Sequence, residues 1–467
     1  MSRRVDLLVV GAGPAGMAGA VMARRHGLDV LVVDEQPTPG GQIWRNVEAV
    51  AGTRRAALLG RSYAKGRAAV ARFRASGAGY APETQVWQIE PGPRAYMSHG
   101  GAASVVEAGC LMLATGAQER PAPFPGWTLP GVMTVGAAQI LLKTSGQIPD
   151  QPVWIAGNGP LPLLYAAQLL RAGGRIACVL DTTPPGGRTA ALPKLAGAAL
   201  GAPGDLAKGL GWMLALRRAG VRVVRGVAEI EAQGGDALER VRYRTVSGAE
   251  ATEPAHLLLV HEGVVPTIHP TLALGCRHRW DAGQDYFAPE LDPWGETSER
   301  GVFVAGDGAG IGGAETAGLR GEIAALRIAA RLGRLAEAQA TAEARRLWAK
   351  LKRKLAARPF LDALYRPRRA VLVPPDQTLA CRCEEVTAAQ IRAQAAIGRP
   401  GANQVKAFTR AGMGPCQGRQ CAYTVANILS DAEGRAVPDI GLYRVRPPLK
   451  PLTLGELAAL DATDAAA

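Results

Sequence analysis

Four of the seven cysteines of this 467-residue chain lie in one stretch near its C-terminus, in the motifs Cys381-Arg-Cys383 and Cys416-Gln-Gly-Arg-Gln-Cys421. Four thiolates can hold a [2Fe–2S] cluster with two sulfurs on each iron, and the two motifs supply two close pairs. The motifs therefore predict an iron–sulfur centre with these four cysteines as its ligands. Glycines in the loop before Cys416 would let backbone N–H groups approach the sulfurs, although an ordinary turn has the same composition.

A structural zinc site is the main alternative for these cysteines, and coincidence is another. Zinc knuckles usually place two residues between the cysteines of each pair because both sulfurs must reach one tetrahedral ion, and these spacings fit that template poorly. Structural disulfides are disfavoured because no secretory signal opens the chain. The other three cysteines, Cys110, Cys178 and Cys276, stand in apolar strand-like contexts, so we expect them to be packed core thiols.

A glycine-rich fingerprint follows a buried-strand pattern near the N-terminus. Residues 5–10 lead into Gly11-Ala-Gly13-Pro-Ala-Gly16, which opens a helix of small residues that runs to about residue 27. Gly11 permits the tight turn, Gly13 lets the backbone reach a pyrophosphate, and Gly16 lets helix and strand pack closely. We expect this turn to bind a cofactor through Gly11, Gly13, Pro14, Ala15 and Gly16.

A second strand pattern, at residues 29–33, ends in two acidic residues at about the spacing of the carboxylate that binds an adenosine ribose. Asp34 has the alternating position that normally carries this carboxylate, and Glu35, which would project differently, is the alternative. Residues 39–45 would run beside the pyrophosphate and the flavin, because Gly41 leaves room there and Gln42 and Arg45 offer hydrogen-bond donors. A simple turn is the other interpretation of that stretch.

Two further strand patterns favour FAD over NAD at this first site. One ends in Ala114-Thr115-Gly116 and the other in Gly306-Asp307-Gly308. At such a strand end Asp307 can hydrogen-bond a ribityl chain, cap the next helix, or do both. The positive end of that helix, after residue 312, would face the flavin pyrimidine and favour negative charge on the reduced ring.

With these motifs the chain resembles the flavoprotein disulfide-reductase fold, an α/β fold with two Rossmann-type dinucleotide-binding domains. It is also similar, over nearly its whole length, to the FAD-containing A or alpha subunits of multi-subunit amine dehydrogenases. That family includes opine (octopine or nopaline) oxidase, hydrogen cyanide synthase, and proline and D-hydroxyproline dehydrogenases. The motifs that carry the similarity lie at residues 34–42, 261–266, 381–387, 412–421 and 446–452. The cysteine segment resembles a bacterioferritin-associated-ferredoxin-like [2Fe–2S] domain.

The resemblance implies an electron-transfer subunit that carries FAD, with Gln36 beside it, and a [2Fe–2S] cluster, and it allows an FMN at a subunit interface. An amine-oxidase-like flavin subunit would oxidise the C–N bond of an amine, imino acid or opine, and a small ferredoxin-like subunit would complete the complex. No residue here looks like a base for a substrate amine, so we expect no catalytic residue. A self-sufficient NAD(P)H-dependent flavoprotein is the second hypothesis, and an iron–sulfur redox sensor or assembly scaffold is the third.

A second fingerprint, Gly157-Asn-Gly159-Pro-Leu-Pro162, is degenerate. Pro162 replaces the third glycine, which loses the close packing of helix and strand, whereas Asp181 at the next strand end keeps a ribose partner. We expect this second domain to serve mainly as a scaffold and to bind NAD(P) weakly or not at all. No CxxC accompanies the flavin segments, which disfavours disulfide exchange. The six histidines are scattered, and none, including His261 and His269, is expected to be a catalyst.

The order of motifs predicts six segments: FAD-binding residues 1–125 and 256–335 around a dinucleotide-like insert at 126–255, a helical linker at 336–375, a cluster domain at 376–435, and a tail at 436–467. The net charge of +14 comes mostly from dispersed arginines without a nucleic-acid-binding module, so we expect it to attract an acidic electron acceptor or partner subunit. No apolar run reaches 18 residues, so we expect a cytoplasmic chain without a transmembrane segment that could meet a membrane through its complex.

Overall fold

The structure is a computed structural model that describes residues 3–398 and 401–464 of the chain. Residues 1–2 of the first predicted segment, 399–400 within the predicted cluster domain and 465–467 of the predicted tail lie outside these ranges. In its first third the helices and strands are β1 Arg3–Val10, α1 Pro14–Arg25, β2 Val30–Val33, α2 Val47–Val50, α3 Arg54–Leu59, α4 Arg61–Arg74, β3 Gly79–Ala81, β4 Gln85–Glu90, β5 Arg94–His99, β6 Ala102–Leu113, β7 Ala117–Glu119, β8 Val132–Thr134 and α5 Val135–Thr144.

The middle of the chain forms a second α/β unit and an antiparallel excursion. Its elements are β9 Val153–Gly157, α6 Pro160–Arg171, β10 Ile176–Asp181, α7 Gly187–Ala191, α8 Leu195–Gly201, α9 Pro203–Arg218, β11 Val223–Arg225, β12 Val227–Gln233, β13 Arg240–Thr245, β14 Glu250–Pro254, β15 Leu258–His261 and β16 Val264–Pro266.

The remaining elements begin with the return to the first unit and end with the cysteine-containing module. They are α10 His269–Ala273, β17 His278–Asp281, β18 Tyr286–Pro289, β19 Val302–Val304, α11 Ala314–Arg331, α12 Glu337–Lys354, α13 Arg358–Leu364, α14 Arg369–Leu372, β20 Leu379–Cys381, β21 Val386–Thr387, α15 Ala388–Ala395, α16 Ala402–Thr409, α17 Ala422–Glu433, α18 Val437–Ile440 and α19 Leu454–Asp464.

The first sheet has the order β3-β2-β1-β6-β5-β4, and β19 pairs in parallel with the distal half of β6. Helices α1 and α11 cover one face and lie against each other. Small residues make this possible, since a Cβ at Gly321 would meet the backbone of Ala15, and one at Gly19 would meet the side chain of Met112. The predicted first strand and small-residue helix are therefore confirmed, and the carboxyl ends of β1, β2, β6 and β19 lie at one edge of the sheet.

The second sheet is parallel throughout, in the order β11-β10-β9-β15-β8. The antiparallel sheet β12-β13-β14 is inserted between β11 and β15. Strand order reverses at β9 and β15, which creates the crevice where dinucleotides usually bind in such sheets. Two dinucleotide-type units are present, so the predicted α/β fold class is confirmed.

A chain of buried polar groups joins the two units. The Gln168 amide donates to Leu59 O (3.1 Å), and the Gln139 amide donates to Gln168 (2.9 Å). Lys143 Nζ then donates both to Gln139 Oε1 (2.8 Å) and to Gln42 O (2.9 Å). Because buried polar groups are costly unless paired, separating the units would break several hydrogen bonds together.

Helix α12 forms the first half of the predicted helical linker and packs on α11 through Ala340 and Ala344, which are fully buried, with Leu347 beside them. The cysteine module that follows has its own apolar core, which includes Cys381, Cys421 and residues of α15, α16 and α17. Cys110, Cys178 and Cys276 are buried in the other units, as expected of core thiols. Burial raises the pKa of Cys110 to about 11 and also raises that of Cys178 and Cys276.

Candidate functional site

A cavity of about 520 Å³ lies at the carboxyl ends of β1, β2, β6 and β19. Its volume falls in the range of ligand pockets, and its position is the one where sheets of this type bind ligands. Fifteen of the sixteen predicted cofactor-binding residues line it: Gly11, Gly13, Pro14, Ala15, Asp34, Glu35, Gln36, Gly41, Gln42, Arg45, Ala114, Thr115, Gly116, Gly306 and Asp307.

The glycine-rich turn forms one wall of this cavity. Gly11 has a φ of +106° and lies against the backbone of Ala114, so no side chain fits there. Gly16, the sixteenth predicted residue, does not line the cavity, because it packs against the backbone of Gly11 behind the wall. At Gly13 a Cβ would meet nothing closer than Gly41 Cα, at 3.9 Å. A side chain at Gly13 would therefore enter the cavity itself.

The two acidic residues after β2 differ in their surroundings. Asp34 Oδ2 accepts a hydrogen bond from Ala12 N (2.6 Å), and its Oδ1 accepts one from Gln36 N (2.7 Å). Burial raises the pKa of Asp34, while these two backbone donors partly offset the rise. Glu35 is exposed and forms an ion pair with Lys450. Asp34 is thus held firmly at the cavity wall and, when ionised, keeps lone pairs for ribose hydroxyls.

Arg45 is the centre of a polar cluster on the same wall. Its guanidinium donates to the side-chain oxygens of Gln36 and Gln42, the latter at 2.9 Å. Arg45 Nε is buried and has no hydrogen-bond partner within the described residues. Burial lowers the pKa of Lys143, which holds the Gln42 carbonyl, to about 7, and the charge of Arg45 contributes. Within the described residues no carboxylate hydrogen-bonds to Arg45 or Lys143, so Arg45, and Lys143 when protonated, suit an anionic ligand.

Asp307 organises the opposite wall. Its Oδ1 accepts hydrogen bonds from the N–H groups of Gly312 and Gly313, both at 2.9 Å, just before α11 begins. Gly313, and not Asp307, is the N-cap residue of α11, so Asp307 fixes the turn before the helix and the predicted cap is wrong. Its Oδ2 has no hydrogen-bond partner in residues 3–398 and 401–464, so that oxygen keeps its acceptor capacity. The N-terminus of α11, with its partial positive charge, lines the cavity through Gly313 and Ala314.

The four motif cysteines come together, but the pairs are not those suggested by the spacing. Cys381 hydrogen-bonds Cys421, and Cys383 hydrogen-bonds Cys416, so each pair joins the two motifs. Within the described ranges, no three or more His, Cys, Asp and Glu side chains form a group that could hold a metal ion. Two facing thiol pairs suit a binuclear cluster better than a tetrahedral zinc ion, which needs four ligands converging on one point.

Electrostatics favour a thiolate at one of these cysteines. The Cys421 thiol and the N–H groups of Gly412, Glu384 and Cys383 bond to the Cys381 sulfur, and together they lower the pKa of Cys381 to about 6. The pKa of Cys421 rises well above its usual value, because its thiol bonds to Cys381 and is buried. Backbone donors around a sulfur are also what an anionic cluster requires.

Glycines in the cysteine loop are required by close packing as well. Gly412 has a φ of +89°, and a Cβ there would collide with the ring of Tyr443. A Cβ at Gly414 would collide with Cys383. Tyr443 is itself 3 % exposed and bonds to the Cys421 sulfur (3.8 Å). The loop is therefore shaped around its sulfurs and is not an ordinary surface turn.

The cavity and the cysteine loop share a wall that sequence reasoning missed. Arg419, which lies between Cys416 and Cys421, lines the cavity together with His269 and Gln118. His269 Nε2 donates to Gln417 O (3.3 Å) and Gln118 Nε2 to Arg419 O (2.9 Å). Burial and the nearby Arg419 charge lower the pKa of His269 to about 4. His269, expected to have no role, is a neutral wall residue here.

The C-terminal tail reaches the side of the same cavity where Asp34 and Glu35 lie. Leu449 and Lys450 line it, and Leu449 N donates to Trp87 O (2.6 Å). Lys450 pairs with Glu35, and Arg419 donates to Leu449 O (2.6 Å). Residues separated by most of the chain therefore complete one cavity.

At the second fingerprint, Pro162 is buried in the first turn of α6, where proline is tolerated. Asp181 bonds to Thr183 through both its backbone N–H (3.0 Å) and its hydroxyl (2.6 Å). His261 is 5% exposed and bonded to Glu119 (2.7 Å), so it packs in the interior. Among the described residues, no helix is long and apolar enough to cross a membrane.

Comparisons with known proteins agree with this architecture. A family model described as pyridine nucleotide-disulphide oxidoreductase matches residues 5–333, and one described as sarcosine oxidase A3 domain matches residues 377–461. The chain is 45% identical to the opine oxidase A subunit of Rhizobium meliloti (strain 1021), over 97% of this chain and 98% of that protein. It is 32% identical to hydrogen cyanide synthase subunit HcnB of Pseudomonas protegens, over 95% and 96% of the two chains.

The crystal structure of L-proline dehydrogenase from P. horikoshii is similar in fold, with a TM-score of 0.70 and 20% identity, over 98% of this chain and 80% of that one. The resemblance inferred from the motifs is confirmed by the two relatives. The A3-domain match spans the cysteine module and does not itself identify a cluster.

Proposed function

The chain belongs to the pyridine nucleotide-disulphide oxidoreductase family, in the group of the opine oxidase A subunit and hydrogen cyanide synthase subunit HcnB, and from this we propose that it is an electron-transfer subunit. It is an oxidoreductase and a flavoprotein by that membership. The finer proposal is that it relays electrons, through FAD and a [2Fe–2S] cluster, from a partner flavin subunit that oxidises the C–N bond of an amine, imino acid or opine.

Fit to both cofactors supports this assignment. The cavity offers backbone N–H groups at two helix N-termini, carboxylate acceptors at Asp34 and Asp307, and the unpartnered Arg45 Nε, a donor set that suits FAD. Four thiols in two pairs with backbone donors suit a [2Fe–2S] cluster on Cys381, Cys383, Cys416 and Cys421. When bound, the flavin exchanges two electrons and can release them singly, whereas the cluster passes one at a time.

The shared wall is the observation that carries the proposal. Arg419 belongs to the four-residue loop between Cys416 and Cys421 and also lines the flavin cavity. Its backbone is held by Gln118 and its side chain by Leu449, so the loop is fixed against the cavity. His269 lies in this contact and stays neutral at physiological pH, because burial lowers its pKa to about 4. A cluster on these cysteines would therefore lie close to the cavity, which an electron relay needs.

An exposed apolar surface supports the existence of a partner protein. Helices α7 to α9 form a helical excursion in which α9 buries one residue of sixteen, Leu216. Leu200 is 87% exposed and Leu210 63%, and Met213 and Leu214 are exposed beside them. Large exposed apolar patches usually mark interaction sites. Residues 187–218 carry five basic residues and one acidic residue, so an acidic partner fits this surface better than a second copy of a chain with net charge +14.

The test is anaerobic reduction of the purified, cofactor-loaded chain. We expect the flavin absorbance to bleach when the amine substrate is added together with the co-expressed partner flavin subunit, but not when NADH or NADPH is added alone. The electron paramagnetic resonance signal of a reduced [2Fe–2S] cluster should follow. Iron and inorganic sulfide should both be present at two per chain.

Each other outcome has a defined meaning. Bleaching by NADH alone would favour the self-sufficient NAD(P)H-dependent flavoprotein, and no reduction by either donor would favour a redox sensor. Zinc in place of iron and sulfide, in anaerobically prepared protein, would refute the cluster. A matched control is the partner subunit mixed with amine in the absence of this chain, which separates reduction of the two flavins.

A further inference from the structure

The crevice of the second dinucleotide unit holds a buried ion pair that the proposed electron relay does not use. Dinucleotides cross such sheets outside the carboxyl ends of the strands, where strand order reverses. In this unit that place lies between Gly157 at the end of β9 and His261 at the end of β15. Glu262 follows β15 directly and is 4% exposed. Its carboxylate therefore lies at the base of the crevice.

Arg368, from the linker between α13 and α14, neutralises this carboxylate. Arg368 Nε donates to Glu262 Oε1 at 3.0 Å and a second guanidinium nitrogen donates to the same oxygen. The remaining guanidinium nitrogen donates to Ala228 O (2.7 Å). Arg368 is 9% exposed, so the guanidinium is buried, and each of its three nitrogens donates one hydrogen bond. This pair is 106 residues apart in the chain and fastens the linker to the second unit.

Glu262 also accepts hydrogen bonds from residues at and near the second fingerprint. The Thr182 hydroxyl donates to Glu262 Oε1 (3.1 Å), and the Asn158 amide donates to Glu262 Oε2 (3.4 Å). Asn158 belongs to the glycine-rich turn, and Thr182 follows β10. Polar groups that a dinucleotide would engage at these strand ends are therefore satisfied by the protein itself. Open space remains beside Gly159, so the base of the crevice is closed and the outer edge of the turn is not.

Helix α13 covers the neighbouring strand end. A Cβ at Gly187, where α7 begins, would come within 2.6 Å of Leu364 O, so the two helices touch through backbone. Tyr365 lies in the field of Asp181 and Arg188, and burial raises its pKa. The ribose-binding position that Asp181 would provide is thus partly covered by the linker.

We infer that Arg368 is a specificity-determining residue that excludes NAD(P) by occupying the dinucleotide crevice together with Glu262. A dinucleotide that crosses the crevice would have to expel Arg368 and leave Glu262 as an uncompensated buried carboxylate facing its phosphates. Breaking one side of a buried ion pair is strongly unfavourable. Because NAD(P)H is excluded, electrons enter from a protein partner. The second unit then serves as a scaffold, held to the first unit by the buried Lys143 and Gln139 contacts.

The test measures binding of NADH and NADPH to the full-length, FAD-loaded chain by isothermal titration calorimetry. For the wild-type chain we expect a dissociation constant weaker than about 1 mM. The double variant Arg368→Ala/Glu262→Gln removes the pair without leaving a buried charge, and it should bind at least about tenfold more tightly. Arg369→Ala is the matched control, because this exposed neighbour pairs with Asp431 and not with Glu262, and it should behave as wild type.

Two results would overturn the inference. One is wild-type binding of NADH with a dissociation constant below about 100 μM, which needs no variant to fold. The other is a double variant that retains FAD and its thermal midpoint but gains no dinucleotide affinity. Neither result depends on the electron relay, since reduction of the flavin by amine through the partner subunit is a separate measurement.

Discussion

Gly13 shows how a single residue decides what the first cavity can hold. Its surroundings are open on the cavity side, and the nearest atom to a Cβ there would be Gly41 Cα at 3.9 Å. Gly13→Val should therefore leave the fold intact while the valine side chain takes the space of the pyrophosphate. We expect FAD affinity to fall by at least about tenfold.

The measurement for Gly13→Val is the ratio of FAD to protein after gel filtration, with iron content as a second readout. Gly209→Val in α9 is the control, because a Cβ there meets nothing within 4 Å and is far from the cavity. Stoichiometric FAD in Gly13→Val would contradict the placement of the pyrophosphate.

Cys416 provides the corresponding test of the second cofactor. Cys416→Ser should abolish the visible absorbance of the cluster and leave FAD bound, because the thiol pairs and the flavin cavity share a wall but no ligand. Cys276→Ala, which removes a buried thiol from the first unit, should retain both cofactors. Loss of FAD together with the cluster in Cys416→Ser would show that the two sites are not separate.

His269 makes the contact between cavity and cysteine loop sensitive to acid. Its folded-state pKa is about 4, below the usual 6.5, because the ring is buried beside Arg419. The unfolded chain therefore binds more protons between about pH 6.5 and pH 4, so the stabilisation present above pH 6.5 is lost as pH falls towards 4. Thermal midpoints at pH 7 and pH 5 should differ less in His269→Gln than in wild type. An equal difference would exclude His269 as the source.

At the scale of elements, the tail is the least expected part of the flavin cavity. Leu449 and Lys450 line it and are fastened by Trp87 and Glu35. Deleting residues 447–467 should increase the rate of FAD release by at least about fivefold, which corresponds to about 1 kcal/mol for the lost contacts. Flavin fluorescence on dilution measures this rate. An unchanged rate of release would show that the tail does not retain the ligand.

Local motifs predicted much of this arrangement. The first turn, Asp34 and Asp307 were identifiable because glycine, proline and acidic residues at strand ends have fixed geometric uses. The pairing of each thiol with one from the other motif could not be predicted from the sequence, because spacing along the chain does not determine which sulfurs meet in space. Contacts of Arg368 with Glu262 and of Lys450 with Glu35 join residues 106 and 415 positions apart and leave no periodic signal.

At the scale of the whole molecule, net charge acts on a partner protein at the longest range. The chain carries +14, and many of its arginines remain exposed even where they form ion pairs. Electron transfer from an acidic partner subunit should therefore slow as salt rises, because screening shortens the reach of this field. Between about 20 mM and 500 mM ionic strength we expect the second-order rate constant to fall roughly tenfold.

Stopped-flow reduction of the flavin at several partner concentrations measures this effect. At saturating partner the first-order limit should change little with salt, because the subunits are already docked. A second-order constant that is independent of salt would show that the charge does not guide association and that apolar contacts, such as those offered by α9, dominate.

The closure of the flavin cavity by Lys450 has a consequence for how the protein is made. Lys450 leaves the ribosome 415 residues after its partner Glu35. Arg419, the last residue of the cavity wall before the tail, is made 31 residues before Lys450, so at bacterial translation rates the other walls stand without the tail for roughly 2–6 s. FAD either enters the cavity in this interval or must later displace the tail at Leu449 and Lys450. We therefore expect riboflavin supply during synthesis, as well as after it, to affect the yield of active protein.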